Sequence, residues 1–281
     1  MIKIAVMYDF DKTLSPRDMQ EFSFLPSVGF NNPSRFWKEV GEFKNENKMD
    51  PILAYMYMML KKADQANRPI RREDFVSLGR EVQLYEGVES WFERINKYGC
   101  QQKIEVEHFV ISSGLAEIIE GTSIAKHFKK IYACKYCYNA SGVAVWPATV
   151  VNYTTKTQYL FRINKGVLDE NNDVDLNRRT QTRSIPFERM IYIADGFTDV
   201  PCMKLVKQYG GKSIAVYNEE QGSQREVAEN LVREGRVDFI ANSDYSDGTE
   251  IDEIVKRIID HIAADYQLEQ LAYRVEEDQN S

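Results

Sequence analysis

Cysteine and histidine are scarce, four and three among 281 residues. Of the cysteines, Cys134 and Cys137 alone have a suggestive spacing, and a zinc knuckle would want a second pair that the chain lacks. On a strand over 131–138 those two side chains fall on opposite faces, so the cysteines read as small packed hydrophobes. His108, His127 and His261 show no ligand spacing and read as structural. No run of eighteen apolar residues exists, which excludes a transmembrane helix. An excess of positive charge is missing too, with 36 basic residues against 43 acidic ones. Nucleic-acid binding leans on phosphate neutralisation, so neither a nucleic acid nor a membrane is expected as the main partner. A small anionic substrate stays compatible if positive charge is local. Strand-like residues begin at Ile2, which leaves no room for a secretory signal, and a cytoplasmic location is expected. Nothing in the sequence fixes an oligomeric state.

What the chain does have is acids at the ends of apolar runs. Asp9-Phe10-Asp11-Lys12-Thr13-Leu14 follows the run from Ile2 to Tyr8, and Asp195-Gly196-Phe197-Thr198-Asp199 follows Ile191-Tyr192-Ile193-Ala194. Like charges this close oppose joint ionisation and call for a cation or a shared proton. Lys12 is too near in sequence to serve both acids, and a divalent metal is the simpler solution. Two strands that deliver carboxylates at their carboxyl ends describe a magnesium site for phosphate chemistry.

Strand signals lie at 2–8, 106–111, 131–138, 190–194, 213–217 and 237–241. Helical patterns lie between most of them, at 87–98, 115–128, 156–168, 199–209, 223–234 and 249–266. The alternation predicts an α/β fold with a doubly wound, parallel, Rossmann-like sheet. From Ser15 to about Glu86 it breaks, with no strand and three helical segments. One of these has Asp50 as N-cap and Pro51 as first helical residue. The expected division is therefore a core of residues 1–14 and 87–281 with an all-helical cap over 15–86. A hairpin is expected about Ser141-Gly142-Val143, and a mobile surface loop over 169–184.

Asp9, at a strand end, can attack phosphorus in line and form an aspartyl-phosphate. Asp11 can reach the leaving oxygen as general acid, then serve as base for water. Thr13 can donate a hydroxyl bond that steadies the turn. Ser112-Ser113-Gly114 ends the strand over 106–111 and opens a helix whose N–H groups suit an anion. A simple N-cap by either serine is the alternative. Lys156 follows Thr154 and Thr155 as cap residues and begins a helix, which places one ammonium at the sheet's carboxyl edge. Asp195 is the natural metal ligand, Asp199 can orient ligands or waters, and Gly196 allows a tight turn between them.

Asp-x-Asp-x-Thr, Ser112, a lysine opening a helix and Asp195-Gly-Phe-Thr-Asp199 occur in that order. Together they resemble the four motifs of the haloacid-dehalogenase-like superfamily, and the helical insertion is similar to that of phosphoserine phosphatase. The resemblance covers the core to about Tyr217, including Leu84–Trp91, which looks like the return from the cap. It implies a magnesium-dependent phosphatase of a small phosphorylated metabolite, with Asp9 as nucleophile and Asp11 as acid and base. It implies Mg2+ held by the Asp9 carboxylate, the Asp11 main-chain carbonyl and Asp195. Thr13, Ser112, Ser113 and Lys156 would then meet the phosphate, with Thr198 and Asp199 behind them. Ala194 departs from the usual glycine, and Thr198 from the asparagine common in phosphoserine phosphatases, which puts an amino-acid phosphate as substrate in question.

Three other readings compete. Carbon–halogen cleavage needs the nucleophile alone, so Asp11 argues against it. A phosphomutase or phosphotransferase keeps both acids and differs in its acceptor. An inactive binding module would not need all four aspartates. In the insertion, 52–60 is apolar all round its helix and reads as cap core, with Tyr55, Tyr57 or a methionine at a substrate pocket as the sharper alternative. Arg68, Arg71 and Arg72 read as a solvated face.

Overall fold

The computed structural model describes residues 1–179, 183–196, 198–220 and 222–279, without the side chains of Ser223 and 273–279. Seven strands form one sheet: β1 Ile2–Tyr8, β2 Ile104–Leu115, β3 Phe128–Tyr138, β4 Ala144–Thr149, β5 Met190–Ala194, β6 Lys212–Tyr217 and β7 Phe239–Asn242. Their spatial order is β4-β3-β2-β1-β5-β6-β7, and every pair is parallel except β3 with β4. Strand β5, and β1 from Ile4 onward, read as unbroken apolar runs because parallel strands between helices are covered on both faces. All five residues of β5 are buried, as are six of the seven in β1. The order places β1 at the centre, with the chain leaving first to β2 and later to β5. That reversal is the switch point where an open α/β sheet forms its crevice. Asp9 and Asp195 stand on either side of it.

Helices Val88–Gln101, Lys156–Lys165, Val200–Gln208, Gly222–Arg233 and Glu250–Gln279 flank the sheet. Among the described residues no helix is long and apolar enough to cross a membrane. The strand from 106 begins earlier and runs later than its sequence signal, through Ser112 and Ser113 to Leu115. Its register with β3 shifts between Ile111 and Leu115. The helix expected over 115–128 is reduced to Ala116–Glu120 and a 3-10 turn at Ala125–His127.

Residues between β1 and β2 contain helices Pro33–Asn47, Pro51–Gln65 and Arg72–Leu78, the three that the sequence pattern anticipates. Asp50 caps the second of them, with Oδ1 accepting from Ile52 N at 2.8 Å and Leu53 N at 3.2 Å. Its methionines 56, 58 and 59 are buried, whereas Tyr57 faces outward against Phe43 at 4.9 Å. Arg68, Arg71 and Arg72 are exposed, as a solvated face should be. The hairpin at 141–143 also forms, joining β3 to β4. It lies against the insertion, through Ala144 N to Ile70 O at 2.8 Å and Tyr136 stacked on Phe75 at 5.3 Å.

The segment 169–184 corrects the expectation of a mobile loop as far as it is described. A short helix, Asp173–Asn177, occupies its middle. Buried Arg162 binds the carbonyls of Asp169, Glu170 and Asn172 and the carboxylate of Asp173. A guanidinium with five donors satisfies several orphan carbonyls at once. Residues 180–182 of that segment lie outside the described part.

Candidate active site

The turn after β1 is closed by backbone bonds, with Leu14 N on Phe10 O at 2.9 Å and Thr13 N and Ser15 N on the same oxygen. The expected role for the Thr13 hydroxyl is therefore corrected, since its Oγ1 is buried without a hydrogen-bond partner. Lys12 takes a left-handed φ of 59° in this turn, a conformation that costs a side-chain-bearing residue roughly 1–2 kcal/mol. Its Nζ meets Asp18 at 3.0 Å. Asp9 N donates to Ile193 O across to β5, which fixes the two acid-bearing strand ends side by side.

Carboxylate oxygens of Asp9, Asp195 and Asp199 lie within 4.8 Å of one another. Between them sits the Lys156 ammonium, fully buried, 3.2 Å from Asp9 Oδ1 and 2.8 and 3.0 Å from the two oxygens of Asp199. Asp199 also accepts from Tyr192 Oη at 2.5 Å and Thr198 Oγ1 at 2.7 Å. Four hydrogen bonds from three donor groups fill the roughly four lone-pair sites of a carboxylate. Asp199 is thus consumed in holding Lys156, and the oxygens left for a cation are those of Asp9 and Asp195.

The electrostatics follow from this crowding. Burial, with Asp199 beside it, pushes Asp9 up to about 8, and the Lys156 charge opposes the rise. Burial and Asp199 raise Asp195 to about 6. Asp11 is held well above the usual carboxylate range by burial, then by Asp18 and Asp9. For Lys156 burial works to lower the pKa, but Asp199 and Asp9 outweigh it and the result is a rise. The ammonium keeps its proton.

Asp11 is turned away from the trio, and its Oδ1 accepts from Met19 N at 2.8 Å. Gly114 makes that arrangement possible, because a Cβ there would stand 2.1 Å from Met19 Cε and 3.1 Å from Asp11 Oδ2. Ser112 is buried and its Oγ accepts from Gly114 N at 3.0 Å, while Ser113 Oγ is buried without a partner. Neither serine caps a helix. The helix starts at Ala116 behind Leu115, so the helix-opening reading of this segment is corrected. Neither Thr154 nor Thr155 caps the Lys156 helix with its side chain towards N2 or N3. Asn152 instead accepts from Thr155 N at 3.0 Å, and its carbonyl takes Lys156 N at 3.0 Å. Gly196 is not left-handed and an added Cβ would meet nothing within 4 Å, so the turn does not demand it.

Asp11 and Ser113 line a cavity of about 300 Å3 whose walls include Trp37, Ile52 and Tyr55 of the insertion. Tyr55 Oη closes it by donating to Ser113 O at 2.6 Å. A larger space, about 750 Å3 along Gly79–Ser90, is lined by none of the four aspartates. Sequence reasoning had Tyr55 as one of several possibilities and missed Asp18, Gln20 and Trp37. These lie 7 to 26 positions after Asp11, and no local pattern marks them.

No family model matches the chain. An uncharacterized protein of Borreliella burgdorferi is 26% identical over 277 residues, spanning 88% of this chain and 93% of that one. A solved phosphoserine phosphatase, described as a phospho-aspartyl intermediate analogue, superposes with a TM-score of 0.52 at 15% identity. It covers 92% of this chain and 99% of its own. A HAD-family hydrolase from Salmonella enterica serovar Typhi superposes at 0.51 and 15% identity, covering 75% of this chain and 62% of that one. The fold is the haloacid-dehalogenase-like one, in its phosphoserine-phosphatase-like form. Within that fold, the turns after β1 and β5, the last residues of β2 and the helix at Lys156 carry the motifs that the sequence resemblance rests on.

Proposed function

We propose that the protein is a magnesium-dependent phosphatase acting on a small phosphorylated metabolite in the cytoplasm. The observation that carries this is one buried ammonium clamped between Asp9 and Asp199, with a second free carboxylate, Asp195, beside Asp9. The residues fit a magnesium ion. Five carboxylates, Asp9, Asp11, Asp18, Asp195 and Asp199, gather around two ammonium groups, Lys12 and Lys156. The oxygens still open are hard donors of the kind Mg2+ prefers. Asp9 and Asp195 would hold it, with the Asp11 carbonyl as the family pattern implies. Once bound, it supplies Lewis-acid polarisation of the phosphoryl oxygens and offsets the remaining negative charge.

The chain's own residues do the rest. The Asp9 carboxylate attacks phosphorus, and the bond from phosphorus to the leaving oxygen breaks. Asp11, which lines the cavity and holds its proton unusually well, gives that proton to the leaving oxygen. A water then attacks the aspartyl-phosphate, Asp11 takes a proton from it, and inorganic phosphate leaves with Asp9 restored. Lys156 keeps the charge near Asp9 tolerable, and Ser112, Ser113 and Thr13 supply hydroxyls towards the phosphoryl group. In this reading residues 1–14 and 87–281 form the catalytic core and 15–86 the cap.

Hydrolysis of an aryl phosphate with and without EDTA tests the metal, and activity that survives chelation would overturn it. Mapping a trapped phosphoryl adduct tests the nucleophile, with Asp9 as the expected site. Product analysis with an added alcohol acceptor separates hydrolysis from transfer.

A further inference from the structure

We infer that the substrate, on the phosphatase reading above, is the phosphate ester of a small alcohol bearing a flat, apolar or aromatic group, not an amino-acid phosphate. The cavity that holds Asp11, the proton donor to the leaving oxygen, is where a leaving group must lie. Its apolar walls are Trp37, Val40, Pro51, Ile52 and Tyr55. Trp37 and Tyr55 stand edge to face with ring centroids 6.1 Å apart. Two aromatic rings and three aliphatic side chains favour a ring on the ligand and offer little to a charged one. At about 300 Å3 the space is at the small end of ligand pockets, which limits the leaving group to little more than a substituted ring.

Charge recognition points the same way. An amino-acid leaving group brings an ammonium that needs a carboxylate. Asp18 lines the cavity, but Lys12 takes it at 3.0 Å. Glu21, near by in sequence, accepts from Trp37 Nε1 at 2.7 Å. Lys44 is in the lining and makes no ion pair among the described residues, so it suits an anionic substituent on the leaving group and offers nothing to an ammonium. The cavity also leaves a neutral group open. Gln20 is 2% exposed and its Oε1 has no hydrogen-bond partner. A buried polar atom without a partner costs of the order of 1–3 kcal/mol, which a hydrogen-bonding substituent on the ligand would recover.

The test compares esters whose leaving alcohols have similar intrinsic reactivity: benzyl phosphate, glycerol 3-phosphate and phosphoserine, each at saturating magnesium. Benzyl phosphate should lead in kcat/KM by about tenfold or more, the scale of one well-placed aromatic contact. Trp37→Ala should narrow that lead by a similar factor, mainly through KM. Equal turnover of the three, or a lead for phosphoserine, overturns the assignment. Should Trp37→Ala fail to fold, the wild-type ratio decides alone. A second readout needs no turnover: benzylphosphonate should quench tryptophan fluorescence, and Trp37→Phe should remove the quench. If no ester is hydrolysed while the quench persists, the phosphatase reading fails and the pocket assignment stands. Hydrolysis without preference and without quench has the opposite meaning.

Discussion

Replacing Lys156 by methionine should separate this site from an ordinary buried ion pair. Its ammonium is fully buried and lies 2.8–3.2 Å from oxygens of Asp199 and Asp9. Removing it leaves three carboxylates facing each other without the cation between them. Breaking a buried pair costs about 3–5 kcal/mol, a large part of the roughly 5–15 kcal/mol that holds a domain folded. In turnover, losing a charged donor at the reacting centre is worth about 10²–10³-fold. The sign of the pH effect also follows. Lys156 is the group that opposes the rise of Asp9, whose pKa stands at about 8 without metal. In the variant Asp9 should hold its proton to still higher pH, so the onset of magnesium binding should move upward in pH. Lys165 is the control, nine residues on and about 13 Å away at ~1.5 Å rise per residue. Its Nζ donates to the carbonyls of Leu176 and Arg178, not to the site. Lys165→Met should therefore turn over nearly as wild type. The assay is steady-state hydrolysis of an aryl phosphate across pH, with thermal unfolding run alongside to show that each variant is folded. A folded Lys156→Met of normal activity, or a larger loss at Lys165, would refute the argument.

Three other outcomes are expected. Asp11→Asn should slow turnover by about 10²–10⁴-fold while leaving magnesium affinity close to wild type, as read by calorimetry, because in the proposed mechanism its side chain moves protons, and it lies outside the cluster of Asp9, Asp195 and Asp199. His108 is buried between Tyr8 Oη and Asn96 Oδ1, each at 3.0 Å, and burial lowers its pKa from 6.5 to about 3. Its stabilisation is fully present above pH 6.5 and lost as pH falls towards 3, at most about 5 kcal/mol at ~1.4 kcal/mol per pKa unit, so His108→Gln should flatten urea-unfolding stability over that window. Arg162→Met should strip four partners from residues 169–173 and open the segment to limited proteolysis, and wild-type resistance in that variant would show the guanidinium to be dispensable.

The parts of the fold that were legible in the sequence are those governed by local rules. Strand β5 is expected over 190–194 and found there because five apolar residues between polar segments have one use. Asp50-Pro51 starts its helix because the cap and the fixed φ of proline act within four residues. Asp9, Lys156, Asp195 and Asp199 meet because each follows or starts an element at the same sheet edge. What was not legible depends on distant contacts. Ser112 and Ser113 look like helix caps until β3 pairs with β2 and draws the strand on to Leu115. Thr155 does stand at the N-cap, but its hydroxyl is taken by the backbone of Asn152 and not by the first turn of the helix. The polar stretch 169–178 looks unstructured because its organiser, Arg162, sits in the preceding helix and reads there as one more surface charge. Trp37 and Gln20 join the cavity through the packing of the insertion, which no spacing records.

The hairpin of β3 and β4 has a consequence for how such a protein can change over time. Tyr136, from a strand of the sheet, reaches into the insertion, where its hydroxyl donates to Met56 O at 2.8 Å. Glu117 accepts from Tyr136 N and Tyr138 Oη, so the hairpin is also tied down behind β2. A segment of 72 residues between Ser15 and Glu86 looks, on a linear map, like a cassette that could be exchanged for another. In three dimensions it shares its interior with residues more than fifty positions downstream. A graft of the insertion alone would leave Tyr136 and Phe75 without each other and the backbone of Ile70 without Ala144. The heritable module is a pair of segments, and divergence in one obliges compensating change in the other.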